Sequence, residues 1–321
     1  MRRVASDTQE EHVAVELRRS IAALPLILAA AVAGAQLPQS SLAVNDHGRW
    51  RKWWSSSEAR TVWDAPSLIL TGAIRWTPVR NGVDYAELRL AGTGEAWRTR
   101  VILVRINPHA VSPKLVVRTR DAGTLGGWAV DSASETAIVA LNAGQFSGGT
   151  PWGWLVRGGM EEHPPGFGPL SMAVVQEQGG QLRLISADSI PIVKSHGKVV
   201  TAFQSYPTLL EQGGIVPPPL RNEDNGVDLE HRDSRLAIGE LRDGQIILAL
   251  TRFEALGGAL SELPFGPTVP EMSALMGALG CTKAVALDGG ISGQMLLRRQ
   301  NRVDTWRAFR RVPLGLVFLS P

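Results

Sequence analysis

The sequence predicts an α+β protein, predominantly a mixed β sheet with a few packed helices, forming one domain over residues 67–321. Three observations predict it. Short runs rich in Val, Ile and Leu recur from residue 67 onward, separated by Gly- and Pro-rich loops, notably 147–168 and 213–227. Two of the gaps, Gly179-Gly180 and Asp243-Gly244, are hairpin signatures. One stretch carries a clear helical stripe bracketed by start and stop signals.

The strands follow in order. Ser67–Thr71 and Ala86–Leu90 are short candidates; Val101–Ile106, Lys114–Thr119 and Ala137–Leu141 are longer apolar runs. Met172–Gln176 and Gln181–Ile185 flank the first hairpin signature, and Arg235–Leu241 and Gln245–Thr251 flank the second. The helix begins at Thr268, with Pro270 in its first turn and Glu271 at capping-box spacing. Met272, Leu275, Met276 and Leu279 form its apolar stripe, and Gly280 stops it. Lys283–Leu287 then reads as a buried strand that runs into Asp288.

Residues 1–35 read as a signal peptide or an uncleaved N-terminal anchor. Arg18-Arg19 precede an apolar run from Ile21 to Ala35, which closes on Ala33-Gly34-Ala35, a small-residue cleavage pattern. At about 1.5 Å per residue that run falls short of a hydrocarbon core roughly 30 Å thick. Either reading places the bulk of the chain outside the cytoplasm, periplasmic or extracellular, with membrane contact only through an uncleaved N-terminus. The paired arginines also suggest a twin-arginine route, although their surroundings match it poorly. Residues 36–66, with Trp50, Trp53, Trp54 and Trp63, are expected to be a linker and entry segment whose tryptophans pack on the domain.

Composition excludes several classes. The chain has 321 residues, 44% of them hydrophobic, enough for a sizeable core. Its 33 basic and 30 acidic residues leave a charge of +3, too dispersed for a nucleic-acid partner. Cys281 is the single cysteine, so neither an intrachain disulfide nor a Cys-rich zinc site can form, and it is expected to be a packed small residue. No His-x-x-x-His or Asp-x-Asp cluster points to a metal, and no cofactor is implied.

Three polar residues sit at predicted strand ends. Asp288 is followed by Gly289, Gly290 and Ser292. A carboxylate leaving a strand, with two glycines and a hydroxyl behind it, suits an anion-binding site, and equally a tight turn capped by Asp288. Asn142, before Ala143-Gly144-Gln145-Phe146, has the same layout. Arg235 opens a strand, where it would pair with a carboxylate or clamp a phosphate. Glu161 and Glu162 are candidates for a second carboxylate, with His163 beside them, or else solvated loop charges.

Four segments taken together resemble the phosphodiester glycosidase family. Members carry Asn-Gly-Gly-Phe-Phe after a strand, where this chain has Asn142 to Phe146. They carry Gln-Ser-x-Pro-x-Leu, here Gln204 to Leu209, and Arg-x-Ala-Ile-Gly, here Arg235 to Gly239. They carry Leu-Asp-Gly-Gly-x-Ser after a helix, here Leu287 to Ser292. The resemblance spans roughly 100–320. It implies hydrolysis of a sugar-1-phosphodiester, with a carbohydrate phosphodiester as partner. It also implies Asp288, Arg235 and Asn142 as catalytic residues, and Gly144, Gly289, Gly290, Ser292 and Ser205 as substrate-binding ones. In that reading Asp288 is the nucleophile or the base that activates water. Arg235 and the amides near Gly289 and Gly290 hold the phosphate, while Asn142 and Ser292 fix sugar hydroxyls. Ala143 and Gln145 depart from the family pattern, and Gln145 is expected to make the pocket more polar. Two alternatives stay open: an envelope protein that binds glycan through Trp152, Trp154 and the N-terminal tryptophans without cleaving it, and a hydrolase of a different envelope phosphodiester or glycoside.

Overall fold

The computed structural model describes residues 39–118, 127–221, 228–255 and 260–320. The expected signal peptide or anchor lies outside them. Three main sheets make up the described unit. The largest runs Thr208–Leu210, Cys281–Leu287, Leu236–Leu241, Ile246–Phe253, Thr99–Ile106, Val83–Ala91, Ser41–Asp46, Arg49–Ser55, and Thr77–Arg80 also pairs with Val83–Ala91. A second sheet orders Met160–His163, Leu155–Arg157, Val199–Ser205, Met172–Glu177 and Leu182–Ser186. The third orders Val303–Trp306, Met295–Arg298, Ala137–Asn142, Leu314–Leu319 and Ser112–Val117. The expected mostly-β, α+β class holds. Every pairing among the described strands is antiparallel rather than mixed. Many neighbours are joined by short turns, and parallel neighbours would need long crossover connections.

Alternation along the strands builds two cores. In Leu236–Leu241 and Cys281–Leu287, Leu236, Ile238, Val285 and Leu287 face one way. They meet Val174 and Phe203 of the second sheet and Leu141, Leu297 and Leu316 of the third in one buried cluster. Ala237, Ala284 and Ala286 face the other way, where their small side chains let a helix approach. That helix, Val269–Ala278, packs Met272, Leu275 and Met276 there, and its capping box is formed as the sequence predicts: the Thr268 hydroxyl accepts from the Glu271 amide and Glu271 accepts from the Thr268 amide. Both hairpins also form as predicted, across Gly179-Gly180 and Asp243-Gly244.

Two expectations are corrected. Ser67–Thr71 is not a strand: Leu68–Ala73 is a short helix whose Ser67 hydroxyl caps the Leu70 amide. Local capping outweighed the apolar run, which is too short for periodicity to separate helix from strand. Nor is 36–66 a linker throughout. Ser41–Asp46 and Arg49–Ser55 pair as a hairpin and join the largest sheet through Val83–Ala91. Their turn is His47-Gly48, with φ of 51° and 85°, the left-handed pair that a two-residue turn demands. Trp54 and Trp63 are buried against the helix and its neighbours, while Trp50 is exposed.

Trp63 fixes one helical position. A Cβ on Gly277 would fall inside its indole ring. Alanine is the better helix former by about 1 kcal/mol. Gly277→Ala is nevertheless expected to destabilise the protein by about 1–3 kcal/mol through overpacking, read as a lower urea midpoint.

Candidate active site

The polar residues converge because three strands end at one place. The pairing Leu236 to Leu287 sets Arg235, one residue before its strand, opposite Asp288, one residue after its own. The Asp288 amide donates to the Ala143 carbonyl at 3.2 Å, which joins the strand Ala137–Asn142 to the same end. The turn Gly290–Ser292 follows Asp288, and the Phe309 amide donates to the Ile291 carbonyl at 3.0 Å. That contact brings in Arg310.

Asp288 is the centre. Its side chain is 18% exposed, and its Oδ2 is buried without a hydrogen-bond partner. The nearest cation is Arg310, with Nη2 3.8 Å from that oxygen. Burial pushes the Asp288 carboxyl above the usual range and the charge of Asp233 adds to it, while the Ser292 hydroxyl and the Arg310 guanidinium pull the other way. Arg310 is itself aimed: its Nε donates to the Ser292 hydroxyl at 2.6 Å, and its guanidinium lies 4.8 Å from the centre of the Phe146 ring.

Asp233 is the second carboxylate. It precedes Ser234 and Arg235, its Oδ1 accepts from the Ser234 amide at 2.8 Å, and its Oδ2 lies 3.5 Å from His231 Nε2. Burial raises its pKa as well, against the lowering effect of Arg235. Gly290 makes room for it: φ is +56°, and an added Cβ would sit 2.5 Å from Asp233 Oδ2.

The other predicted residues are mostly frame. Asn142, 1% exposed, donates from Nδ2 to the Asp288 carbonyl and accepts at Oδ1 from the Gln294 amide at 2.9 Å, so both ends of its amide are committed to backbone. Ser205 is fully buried, its hydroxyl 2.6 Å from the Ala286 carbonyl and 2.7 Å from Gln145 Oε1. Gln145 also donates to the Tyr206 carbonyl at 2.7 Å, which uses its polarity to hold a loop instead of lining a pocket. Gly144 and Gly289 admit neighbouring backbone, since added Cβ atoms would strike the carbonyls of Gln204 and Ser234 respectively. The Gly290 amide, expected to be free for an anion, donates to the Ser234 carbonyl at 2.7 Å. Ser292 is buried and serves Arg310. Arg235 donates from Nε to the Pro267 carbonyl at 3.0 Å and from Nη2 to the His231 carbonyl, and burial lowers its pKa.

Glu161 pairs with Lys194 and accepts from Trp154 Nε1, and Glu162 pairs with Arg157, so neither is at this site. Trp154 is buried in a core cluster, while Trp152 is partly exposed, edge-on to Tyr206. Cys281 is buried, which pushes its thiol up and leaves it unreactive. A broad groove lined by Phe167, Pro169, Ile190 and Tyr206 does not include Asp288. Among the described residues no group of three or more potential metal ligands gathers.

A β-rich scaffold that collects two carboxylates and two guanidiniums where its strands end defines a class of site suited to a charged, oxygen-rich substrate. The phosphodiester glycosidase family model matches residues 135–319, more than half of the chain, and includes Asn142, Asp233, Arg235, Asp288 and Arg310; the chain belongs to that family. Among solved structures it is similar to the zebrafish N-acetylglucosamine-1-phosphodiester alpha-N-acetylglucosaminidase catalytic domain, auto-inhibited by its pro-peptide. That match has a TM-score of 0.56 and 17% identity, over 76% of this chain and 85% of that one. A hypothetical protein from Synechocystis matches with a TM-score of 0.51 and 16% identity, over 87% of this chain and 68% of that one. At these identities the likeness concerns the fold. No curated protein matches the chain.

Two outcomes are expected. A carboxyl whose folded-state pKa is raised favours folding most when protonated, so its penalty grows as pH rises through that pKa. Asp288→Asn removes the charge at every pH. Its urea midpoint is therefore expected above that of the parent at pH 7, with the gap closing as pH falls; a midpoint unchanged at neutral pH would contradict the buried-charge reading. Arg232 forks onto Glu271 at 2.8 and 2.9 Å, and Glu271 is 0% exposed. Arg232→Ala leaves that carboxylate buried and unpaired, at a cost of about 3–5 kcal/mol, measured by denaturant unfolding.

Proposed function

We propose that this protein is an exported hydrolase that cleaves the glycosidic C–O bond of a sugar-1-phosphodiester, releasing free sugar and a phosphate monoester. The single observation that carries the reading is the Asp288–Arg310 pair: a largely desolvated carboxylate with an unpartnered oxygen, beside a guanidinium fixed by Ser292 and Phe146. Family membership and the activity named for the zebrafish relative support it. The apolar run Ile21–Ala35 supports export; among the described residues no helix is long and apolar enough to cross a membrane.

The chemistry suits this bond. A phosphodiester carries one negative charge and its departing monoester gains a second, so a guanidinium beside the phosphate binds the transition state more strongly than the ground state. The phosphate leaves as a weakly basic anion, its second pKa being about 6, and needs no proton from the protein. Asp288 supplies the charge that meets the developing oxocarbenium centre. Arg310 takes the phosphate-holding role that the sequence suggested for Arg235, whose Nε and Nη2 are tied to backbone carbonyls. Asn142 positions Asp288 through its carbonyl.

The test is release of free sugar from a panel of sugar-1-phosphodiesters that begins with the N-acetylglucosamine compound. Asp288→Asn is expected to abolish turnover, and full activity in that variant would remove Asp288 from the mechanism. Arg310→Ala is expected to lower kcat by about 10²–10³-fold, the scale of losing one transition-state donor. Activity is expected to fall on the acid side at a pH above the ordinary aspartate value of about 3.9, because Asp288 must be ionised.

A further inference from the structure

Asp233 is not explained by the first step of this reaction. The leaving phosphate needs no acid, yet a second, largely buried carboxylate shares the site, and the turn Gly289-Gly290 is shaped around the segment that bears it. The two carboxylates have different surroundings. Asp288 keeps an oxygen that no donor touches, the condition of a desolvated nucleophile. Asp233 is wetter, its side chain 24% exposed, and its Oδ2 faces His231, an imidazole 59% exposed to solvent. Paired carboxylates divided in this way by environment take different roles.

We propose that Asp233 is a second catalytic carboxylate, the base that activates the water which frees the sugar from a covalent intermediate on Asp288, with His231 passing the proton to solvent. The inference rests on the reading of Asp288 given above and deepens it. In the first step an Asp288 oxygen forms a bond to the anomeric carbon, and the carbon–oxygen bond to phosphate breaks with its electron pair on the departing monoester. In the second a water oxygen bonds to that carbon, its proton goes to the Asp233 carboxylate, and the pair of the breaking ester bond returns to Asp288. Asp233 then hands the proton to His231 Nε2 and is ready again. Two inversions at the carbon give net retention of configuration. The charged neighbours suit this cycle: Arg235 beside Asp233 and Arg310 beside Asp288 balance the two acids.

The probe is N-acetylglucosamine-1-phosphate methyl ester, or the diester that the wild type cleaves best in the panel. Asp233→Ala is expected to release one equivalent of methyl phosphate per site in a burst and then to turn over about 10²–10⁴-fold more slowly than the wild type. Its KM should fall with kcat as the intermediate accumulates. Sodium azide, a small anion that needs no base, should restore turnover and yield a glycosyl azide of the substrate's own configuration. Asp233→Asn, close in size and shape, should behave alike, and a melting curve matched to the parent shows that folding is not the cause. Wild-type turnover in both variants would overturn the proposal, as would joint loss of burst and turnover without azide rescue, or inversion of configuration by the wild type. A wild type silent toward every diester would instead sink the hydrolase reading, and this one with it.

Discussion

One buried carboxylate, Glu271, holds the parts of this site in register. It is fully enclosed and serves three clients at once. Its Oε2 accepts from the Thr268 amide, which starts the helix Val269–Ala278; both oxygens take the Arg232 fork; and the Ser40 hydroxyl reaches its Oε1. Arg232 is next in the chain to Asp233 and three residues before Arg235. The helix start therefore fixes where the strand Leu236–Leu241 begins, and that start sets which residue faces Asp288. An ion pair this deep recovers its desolvation only through good geometry and full hydrogen bonding, and this one has both.

The site itself is built at the expense of stability. Asp288 and Asp233 are both held in surroundings that disfavour their charge, and Arg235 and Arg252 in surroundings that disfavour theirs. Arg252 is 2% exposed, is pushed down to about 10 by burial, and donates to the carbonyls of Gly293, which closes the turn after Asp288, and of Arg307, in the segment that leads to Arg310. Such groups persist only where a rigid frame imposes them. Here the frame is backbone: the carbonyls of Ala143, Ser234, Gly289 and Ile291 accept from the amides of Asp288, Gly290, Ser292 and Phe309 respectively.

Much of the scaffold was legible in the sequence because its signals are local. The Asp243-Gly244 turn, the Thr268–Glu271 box and the Gly280 stop each depend on a few adjacent residues, and each formed as the pattern predicts. Asp288 was legible because a strand ending in a carboxylate and two glycines is conspicuous. Its partners were not. Arg310 sits among Arg307, Arg310 and Arg311, and nothing in that run distinguishes the one that turns inward; the choice is made by a backbone contact with Ile291. Asp233 carries no signal of its own in the sequence, because its importance comes from Gly290, distant in sequence and adjacent in space. Asn142 and Ser205 stand out in the sequence, but sequence cannot tell a polar group that faces a ligand from one that anchors a turn, and both side chains bond neighbouring backbone. The His47-Gly48 hairpin is not legible because its turn is not one of the usual Asn-Gly, Asp-Gly or Gly-Gly pairs, and its Trp-rich strands read as an irregular lead-in.

The sequence distance between neighbouring strands has a consequence for how the third sheet assembles. The strand Leu314–Leu319, which follows Arg310 closely, lies inside its sheet, between Ala137–Asn142 and Ser112–Val117. Both neighbours come from the first half of the chain, so the third sheet closes only through contacts distant in sequence, the kind that form slowly, and the Arg310 guanidinium is placed by the same late closure.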